Sequence, residues 1–230
     1  TDSYALFGEG SYRINDQWQV TLGGRYTYDN KDFAVTASGA PDLLGFLQEN
    51  YQVAEEKSWN SFTPKVTLNY FAEQGDMVYL TLSEGYKAGG YNGIAADAQA
   101  ASVAFDQEKA RNYELGFKAR FFDRMLSVNG AAYFLDYTDL QNFTTGIETG
   151  EVRTATGDAE VKGLELDANA FVTDGLRMFA TYAFTDAEFT SFASDPSVVG
   201  NSLARTPEHS GSLGFNYSWL LDNGQMLDWR

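Results

Sequence analysis

Gln17–Asp29 reads QWQVTLGGRYTYD, and its alternation decides the fold. Trp18, Val20, Leu22, Gly24, Tyr26 and Tyr28 share one phase; Gln17, Gln19, Thr21, Gly23, Arg25, Thr27 and Asp29 share the other. A strand sends successive side chains to opposite faces, so this ribbon has one apolar and one polar surface. A helix would mix spacings of three and four between its apolar residues, whereas these recur at every second position.

The same period-two pattern extends in both directions. Tyr4, Leu6 and Tyr12 precede it. Phe62–Tyr70, Val78–Leu82, Tyr113–Phe121, Leu126–Phe134, Leu164–Ala170, Leu176–Phe184 and Leu213–Trp219 follow it. That predicts about nine strands, with a tenth starting near Gln225. Two kinds of connection separate them. Asn15-Asp16, Glu73–Asp76, Asp123-Arg124, Thr173–Gly175 and Asp222–Gly224 are hairpin-type turns. The stretches 30–58, 89–108, 143–158 and 190–207 are long connections. Short and long alternate, so an up-and-down meander carries its tight turns on one rim and its long loops on the other.

The apolar face could fill the centre of a soluble sandwich or touch lipid. Charges lie all along the polar face: Arg25, Lys65, Glu114, Lys118, Arg120, Glu165, Asp167 and Arg177. On the apolar face they stand only at strand ends, as Glu84, Arg111, Asp136, Lys162 and Asp186. A sandwich core would show that depletion too. Rings on the apolar face, however, fall at two levels. Tyr12, Trp18, Tyr70, Phe121, Tyr217 and Trp219 sit near the tight turns. Tyr4, Tyr26, Tyr28, Phe62, Tyr86, Tyr113, Phe134 and Phe184 sit near the long loops. Two aromatic levels make the girdles of a membrane barrel. The alternating runs also approach the roughly 9 to 11 residues that a tilted strand needs to cross a bilayer. Both features favour an all-β, antiparallel, up-and-down transmembrane β-barrel segment, with tight turns periplasmic and long loops extracellular. Pro64 falls on the lipid-facing phase, cannot donate to a ladder, and is expected to mark a strand end or bulge.

Composition narrows function. The 230 residues carry 16 basic and 32 acidic side chains, a net charge of -16 that would repel nucleic acid. With no cysteine, disulfides, thiolate metal sites and a cysteine nucleophile are excluded. His209 beside Ser210 lacks an orienting third group, and Ser210–Ser212 simply continue a strand. No metal site, cofactor or enzymatic activity is expected. The opening TDSYALFGEGSYRI and the closing GQMLDWR both read as the middle of a structural element, so a piece of a larger barrel is expected.

Four segments carry a family resemblance: YLTLSEGYKAGGYNG from Tyr79, FDQEKARNYELGFKARFFD from Phe105, GDAEVKGLEL from Gly157 and NSLARTPEHSGSLGFN from Asn201. Together, and in this order, they resemble the β-barrel region of TonB-dependent outer-membrane receptors. Gln107 stands where the family usually has a proline. The resemblance implies a barrel of about 22 strands around an N-terminal plug domain. Residues 1–230 would supply nine or ten strands, without the plug, the TonB-contacting segment or the C-terminal strands. It further implies a Gram-negative outer membrane, contact with lipid, TonB and its inner-membrane energising complex, and active uptake of a small solute, first among them a ferric siderophore. A passive porin is the alternative. Tyr86, Lys87, Tyr91, Asn92 and Arg153 in the loops are candidate ligand contacts, with Phe143 and Phe192 beside them, since aromatic and Arg side chains are enriched at binding sites. The lumenal charges are expected to pair with one another, with contact to a plug or substrate as the second reading.

Overall fold

The computed structural model describes residues 1–38, 50–72, 75–145, 152–221 and 224–229, and only the backbone of residues 144, 145, 152 and 153. Ten strands form one sheet: β1 (Asp2–Arg13), β2 (Trp18–Ala37), β3 (Tyr51–Phe71), β4 (Met77–Lys87), β7 (Glu108–Phe121), β8 (Leu126–Thr145), β9 (Val152–Phe171), β10 (Leu176–Ser191), β11 (His209–Leu220) and β12 (Met226–Trp229). Between β4 and β7 lie a two-residue pair, β5 (Gly90–Tyr91) with β6 (Ala104–Phe105), and a short helix, α1 (Ala98–Ser102). Every neighbour in the large sheet is the next strand of that sheet along the chain, and every pairing is antiparallel. This is the expected meander.

The described tight turns lie on one rim; residues 73–74 and 222–223 of the other two expected turns lie outside the described residues. Asn15 Oδ1 accepts from the backbone N–H groups of Gln17 and Trp18 at 2.9 and 2.8 Å, which folds the first turn. The turn at Phe122–Arg124 is built from three consecutive left-handed residues and closed by Met125 N–H donating to Phe122 O at 3.0 Å. On the opposite rim, two of the four regions read as loops, 30–58 and 143–158, are in large part strand. β2 runs on to Ala37 and β3 starts at Tyr51; β8 runs to Thr145 and β9 starts at Val152.

The phase of the pattern explains that difference. On β2 the apolar side chains point outward as far as Tyr28. Beyond it the same outward phase carries Asn30 and Asp32, while the inward phase carries Phe33, Val35 and Ala37. β9 and β10 change over in the same way. Outward Leu164 and Phe184 give way to Glu160, Asp186 and Glu188, and inward Glu165 and Thr185 give way to Val161, Ala159, Ala187 and Phe189. A strand in lipid is apolar outside; once above the headgroups it is apolar inside. The reversal therefore marks the outer membrane boundary on each strand. At about 3.4 Å per residue, the part of β2 above Tyr28 rises roughly 30 Å beyond it.

The outward band is open to its surroundings. Leu22, Leu115 and Phe215 are 57%, 55% and 42% exposed. Among the described residues forty large apolar side chains are exposed, against eleven buried hydrophobic ones, so no sandwich core exists. Seven of those eleven form two small clusters toward the extracellular end, around Tyr51 and Phe189. Burying one large apolar side chain is worth about 1.5–3 kcal/mol, and an exposed band this wide is stable only against hydrocarbon. Aromatic pairs border it: Trp18 on Tyr70 at 5.0 Å by the tight turns, Tyr113 on Phe134 at 6.0 Å by the long connections.

Pro64 does not interrupt β3, where it stands opposite Gly24 in unbroken register with β2. It limits the other side. Pairing of β3 with β4 begins at Lys65–Ser83 and covers only the residues toward the tight turn. Above Pro64 the two strands separate, and the 88–107 segment docks beside the gap.

Candidate functional site

Above the membrane boundary, β4 and β7 stop at Lys87 and Glu108, while β2–β3 and β8–β9 continue as two tall hairpins. The 88–107 segment sits between them. Its seat is apolar: Ala95, Ala98, Ala100 and Ala101 pack on Tyr51 and Val53, with Phe33, Val35 and Ala37 around them. Asp97 caps α1 by accepting from Ala100 N–H at 2.7 Å. Tyr51 Oη donates to Ala95 O at 2.7 Å.

Next to this seat is a basic and aromatic cluster. Lys31 Nζ donates to Gly89 O at 2.6 Å and lies 5.7 Å from the centre of the Trp59 ring. Lys57 Nζ lies 5.3 Å from the same ring and 3.7 Å from Asp106 Oδ1. Trp59 is 5% exposed, and its Nε1–H is buried without an acceptor. Gly89 passes so close to that indole and to Phe105 O that a Cβ would collide with both. Tyr91 stacks on Phe33 at 5.0 Å and meets Trp59 edge-on at 6.4 Å. Burial, and then the Glu55 and Glu56 carboxylates, push the Tyr91 hydroxyl above its ordinary pKa. It stays protonated and able to donate.

The sequence candidates divide by surroundings. Tyr86 and Lys87 end β4, and Tyr91 and Asn92 follow in the 88–107 segment, with different neighbours. Lys87, 60% exposed at its side chain, lies 3.7 Å from Glu108 Oε2. The Tyr86 hydroxyl is enclosed beside the Asp29 carboxylate without a bond of good geometry. Asn92 Oδ1 accepts from Thr154 N–H at 2.7 Å. Arg153 stands opposite Thr144 on β9, and its side chain lies outside the described residues. Phe143 is 81% exposed, whereas Phe192 is buried against Phe189 and Ala159 as a loop anchor. Sequence reasoning missed Lys31, Phe33, Tyr51, Lys57 and Trp59, having placed most of them in a loop. Following the alternation through its reversal at Asp29 would have found them.

Lower down, the polar face lines the interior. The expected network of ion pairs is not what holds it. Among the described residues, Lys65 with Glu9 at 3.0 Å is the one ion pair that includes any of its eight charges. Hydrogen bonds to neutral groups take over. Tyr79 Oη donates to Glu114 Oε1 at 2.7 Å. Asp167 Oδ1 accepts from Asn129 and Asn169 at 3.2 and 3.1 Å, and Arg177 donates to Asn169 Oδ1 at 3.0 Å. The strands are spaced so that the acids and bases of this face fall on different rungs, which keeps them apart. Glu165, flanked by Ala131 and Ala183, has no ion pair and borders a cavity of about 330 Å³ with Tyr79, Lys118 and Asp167.

A family model described as TonB dependent receptor-like, beta-barrel matches residues 1–230. The chain belongs to the TonB-dependent receptor β-barrel family. This receptor wall is 28% identical over 212 residues to the ferrichrome outer membrane transporter/phage receptor of Escherichia coli K12, covering 89% of this chain and 24% of that protein. It is 26% identical over 224 residues to the metal-pseudopaline receptor CntO of Pseudomonas aeruginosa UCBPP-PA14, covering 95% and 29%. Among solved structures, the ferric yersiniabactin uptake receptor FyuA of Yersinia pestis superposes with a TM-score of 0.79 at 20% identity, over 96% of this chain and 32% of that one. The receptor wall thus spans about a quarter to a third of the length of these relatives. It stands in the outer membrane of a Gram-negative bacterium, in a family of transport receptors and not of enzymes.

Proposed function

We propose that the protein to which this wall belongs takes up a scarce solute by TonB-dependent active transport, with a ferric siderophore as the first candidate. The family match over residues 1–230 carries this reading. In it, residues 1–230 are part of a barrel, and the plug, the TonB-contacting segment and the remaining strands come from elsewhere in the chain. The solute meets the extracellular mouth, where Tyr86, Lys87, Tyr91, Asn92 and Arg153 border its path. Half-exposed Lys57, set against the buried Trp59 ring, adds cationic surface suited to an anionic chelate. The plug occupies the lumen. Glu165, in no ion pair among the described residues and sharing its recess with Asp167 and Lys118, suits a cationic side chain of that plug.

Relatives named as transporters and siderophore or metal receptors do not favour a passive porin. The test is uptake of ⁵⁵Fe-labelled siderophores by cells making the full-length protein, with and without TonB. Accumulation that requires TonB supports the proposal. Equal accumulation without TonB would make the barrel a passive pore, and no accumulation of any ferric chelate would redirect the search to another solute.

A further inference from the structure

β4 ends before its neighbours do. Its ladder with β3 reaches upward only to Lys65–Ser83, and its ladder with β7 ends at Lys87–Glu108. Carried on in the same register, the strand would lie between residues 57–60 of β3 and residues 104–107. Instead the chain turns to the inner side, where Gly89 passes the Trp59 ring and Tyr91 stacks on Phe33. The position that β4 leaves is about 10 Å wide, two strand spacings. It holds a cavity of about 460 Å³. Small-molecule sites run to roughly 300–1,000 Å³.

Four side chains of its lining, Ser58, Asn60, Lys109 and Thr138, belong to the outward phase, so the recess opens on the outer side of the wall and not on the lumen. Asn60 stands opposite Tyr28, the last outward apolar residue of β2. The recess therefore begins at the outer membrane boundary, at the height of lipid headgroups.

Its polar groups are uncommitted. Among the described residues the side chains of Ser58, Asn60, Gln107 and Thr138 make no hydrogen bond, and Lys109 makes no ion pair. On the β4 side, the backbone of β3 above Lys65 has no strand partner. A bulge adds a carboxyl. Asp139, left-handed with φ 54°, lies in the bulge between Tyr137 and Leu140, and its N–H donates to Asp158 Oδ1 at 3.1 Å. The fixed charges cancel. Lys57, shared with the mouth, lies 3.7 Å from Asp106 Oδ1, and Lys109 is near enough to Asp139 to oppose the rise in its pKa. An anion would meet Asp106 and Asp139; a cation would meet Lys57 and Lys109. A neutral ligand whose polar groups both donate and accept avoids both penalties. Sugar hydroxyls do this.

We propose that the position vacated by β4 is a saccharide-binding recess on the outer side of the wall. Asn60, Thr138 and Ser58 exchange hydrogen bonds with the hydroxyls of a short saccharide, and the carboxylates of Asp106 and Asp139 accept from them. The same chemistry comes from two sources, a free oligosaccharide and the glycan headgroup of an outer-leaflet lipid. The recess is separate from uptake, and its occupancy can be measured whether or not any solute is transported.

The test uses the full-length protein in micelles of a sugar-free amine-oxide detergent. Two probes separate the sources. Core oligosaccharide, cut from lipopolysaccharide by mild acid, is titrated by calorimetry. Intact rough lipopolysaccharide is added separately, and the copies that stay on the protein are counted by native mass spectrometry. Asn60→Ala and Thr138→Ala, both at exposed positions, should each weaken binding about fivefold, the worth of one neutral hydrogen bond. Heat-dependent gel mobility checks that both variants are folded. Whichever probe binds with that loss names the source of the sugar, and both doing so means that the recess takes either. Binding of neither probe overturns the proposal, as does binding that the folded double variant leaves unchanged. Displacement of the oligosaccharide by inorganic phosphate also overturns it, because the recess would then be an anion site.

Discussion

Glycines on the inner face show how the wall is packed residue by residue. Gly116, Gly163 and Gly214 stand directly opposite Tyr79, Tyr133 and Phe179, and each ring lies over its glycine. An aromatic ring can lie flat on a sheet only where the neighbouring strand has no Cβ. At Gly163 an added methyl would meet the Tyr133 ring and also Phe184 O at 2.7 Å, and that backbone atom cannot step aside. Gly163→Ala should therefore lower the unfolding free energy of the full-length protein by about 1–3 kcal/mol, read from urea titrations in vesicles. Asp139 gives a second case, above the membrane-crossing part of β8. It adopts a left-handed conformation at the bulge between Tyr137 and Leu140. Burial first, then the Asp106 and Asp158 carboxylates, raise its pKa above the ordinary 3.8. A folded carboxyl that holds its proton more tightly than the unfolded one stabilises the fold at low pH. That contribution is lost as pH rises through the carboxylate range. Asp139→Asn, which keeps the shape and tolerates the same backbone, should raise the unfolding midpoint at pH 7. The gain should vanish near pH 3, and a gain of equal size at both pH values would rule out charge as the cause.

At the scale of the strand, one sequence pattern serves two solvents. The outward phase of β2 is hydrocarbon-facing at Leu22 and water-facing at Asn30, although both belong to one continuous ladder with β3. Placing Arg at Leu22 should cost about 2–4 kcal/mol, because it puts a charge near the bilayer midplane. Placing Arg at Asn30, on the same face above the boundary, should cost under about 1 kcal/mol. Denaturant titrations of the two variants in the same vesicles check the contrast, and equal costs would mean that β2 does not cross a bilayer there. The same physics set the limits of sequence reading. Trp18–Tyr28 was legible because eleven residues held one phase against one solvent. Phe33, Val35, Tyr51 and Val53 were not, since their alternation is sound but inverted, and a search for outward apolar residues stops where it inverts. The seat of the 88–107 segment was lost with them. Pro64 was only half legible. Its missing N–H ends a ladder, but which of two ladders depends on whether its nitrogen faces β2 or β4, and composition cannot say. Lumenal ion pairs were expected from charge alone, whereas registry decides whether Glu114, Glu165 and Asp167 fall opposite a base, and it places Thr81, Ala131 and Asn129 there instead.

For the molecule as a whole, the deciding quantity is the backbone that has no partner. Among the described residues β1 pairs only with β2, and β12 only with β11, so the ten-stranded sheet has two free edges. Along β1, every second residue from Asp2 to Arg13 turns its N–H and C=O away from β2. In hydrocarbon each such group left unbonded costs several kcal/mol, and the total over one strand exceeds the whole stability of an ordinary domain. The apolar band makes retreat into water equally unfavourable, because Leu6, Leu22, Leu115 and Leu213 would all be wetted. Residues 1–230 alone are thus expected to be stable in neither solvent, and further strands pairing with β1 and β12 are the closure we propose. Made alone, the chain should sediment as aggregate and show no heat-dependent shift in gel mobility, whereas the full-length protein should insert into vesicles and show one. If residues 1–230 alone give a protease-resistant, heat-modifiable species in vesicles, then the two edges are closing on each other or on a second copy, and the wall is a complete small barrel and not an arc of a larger one.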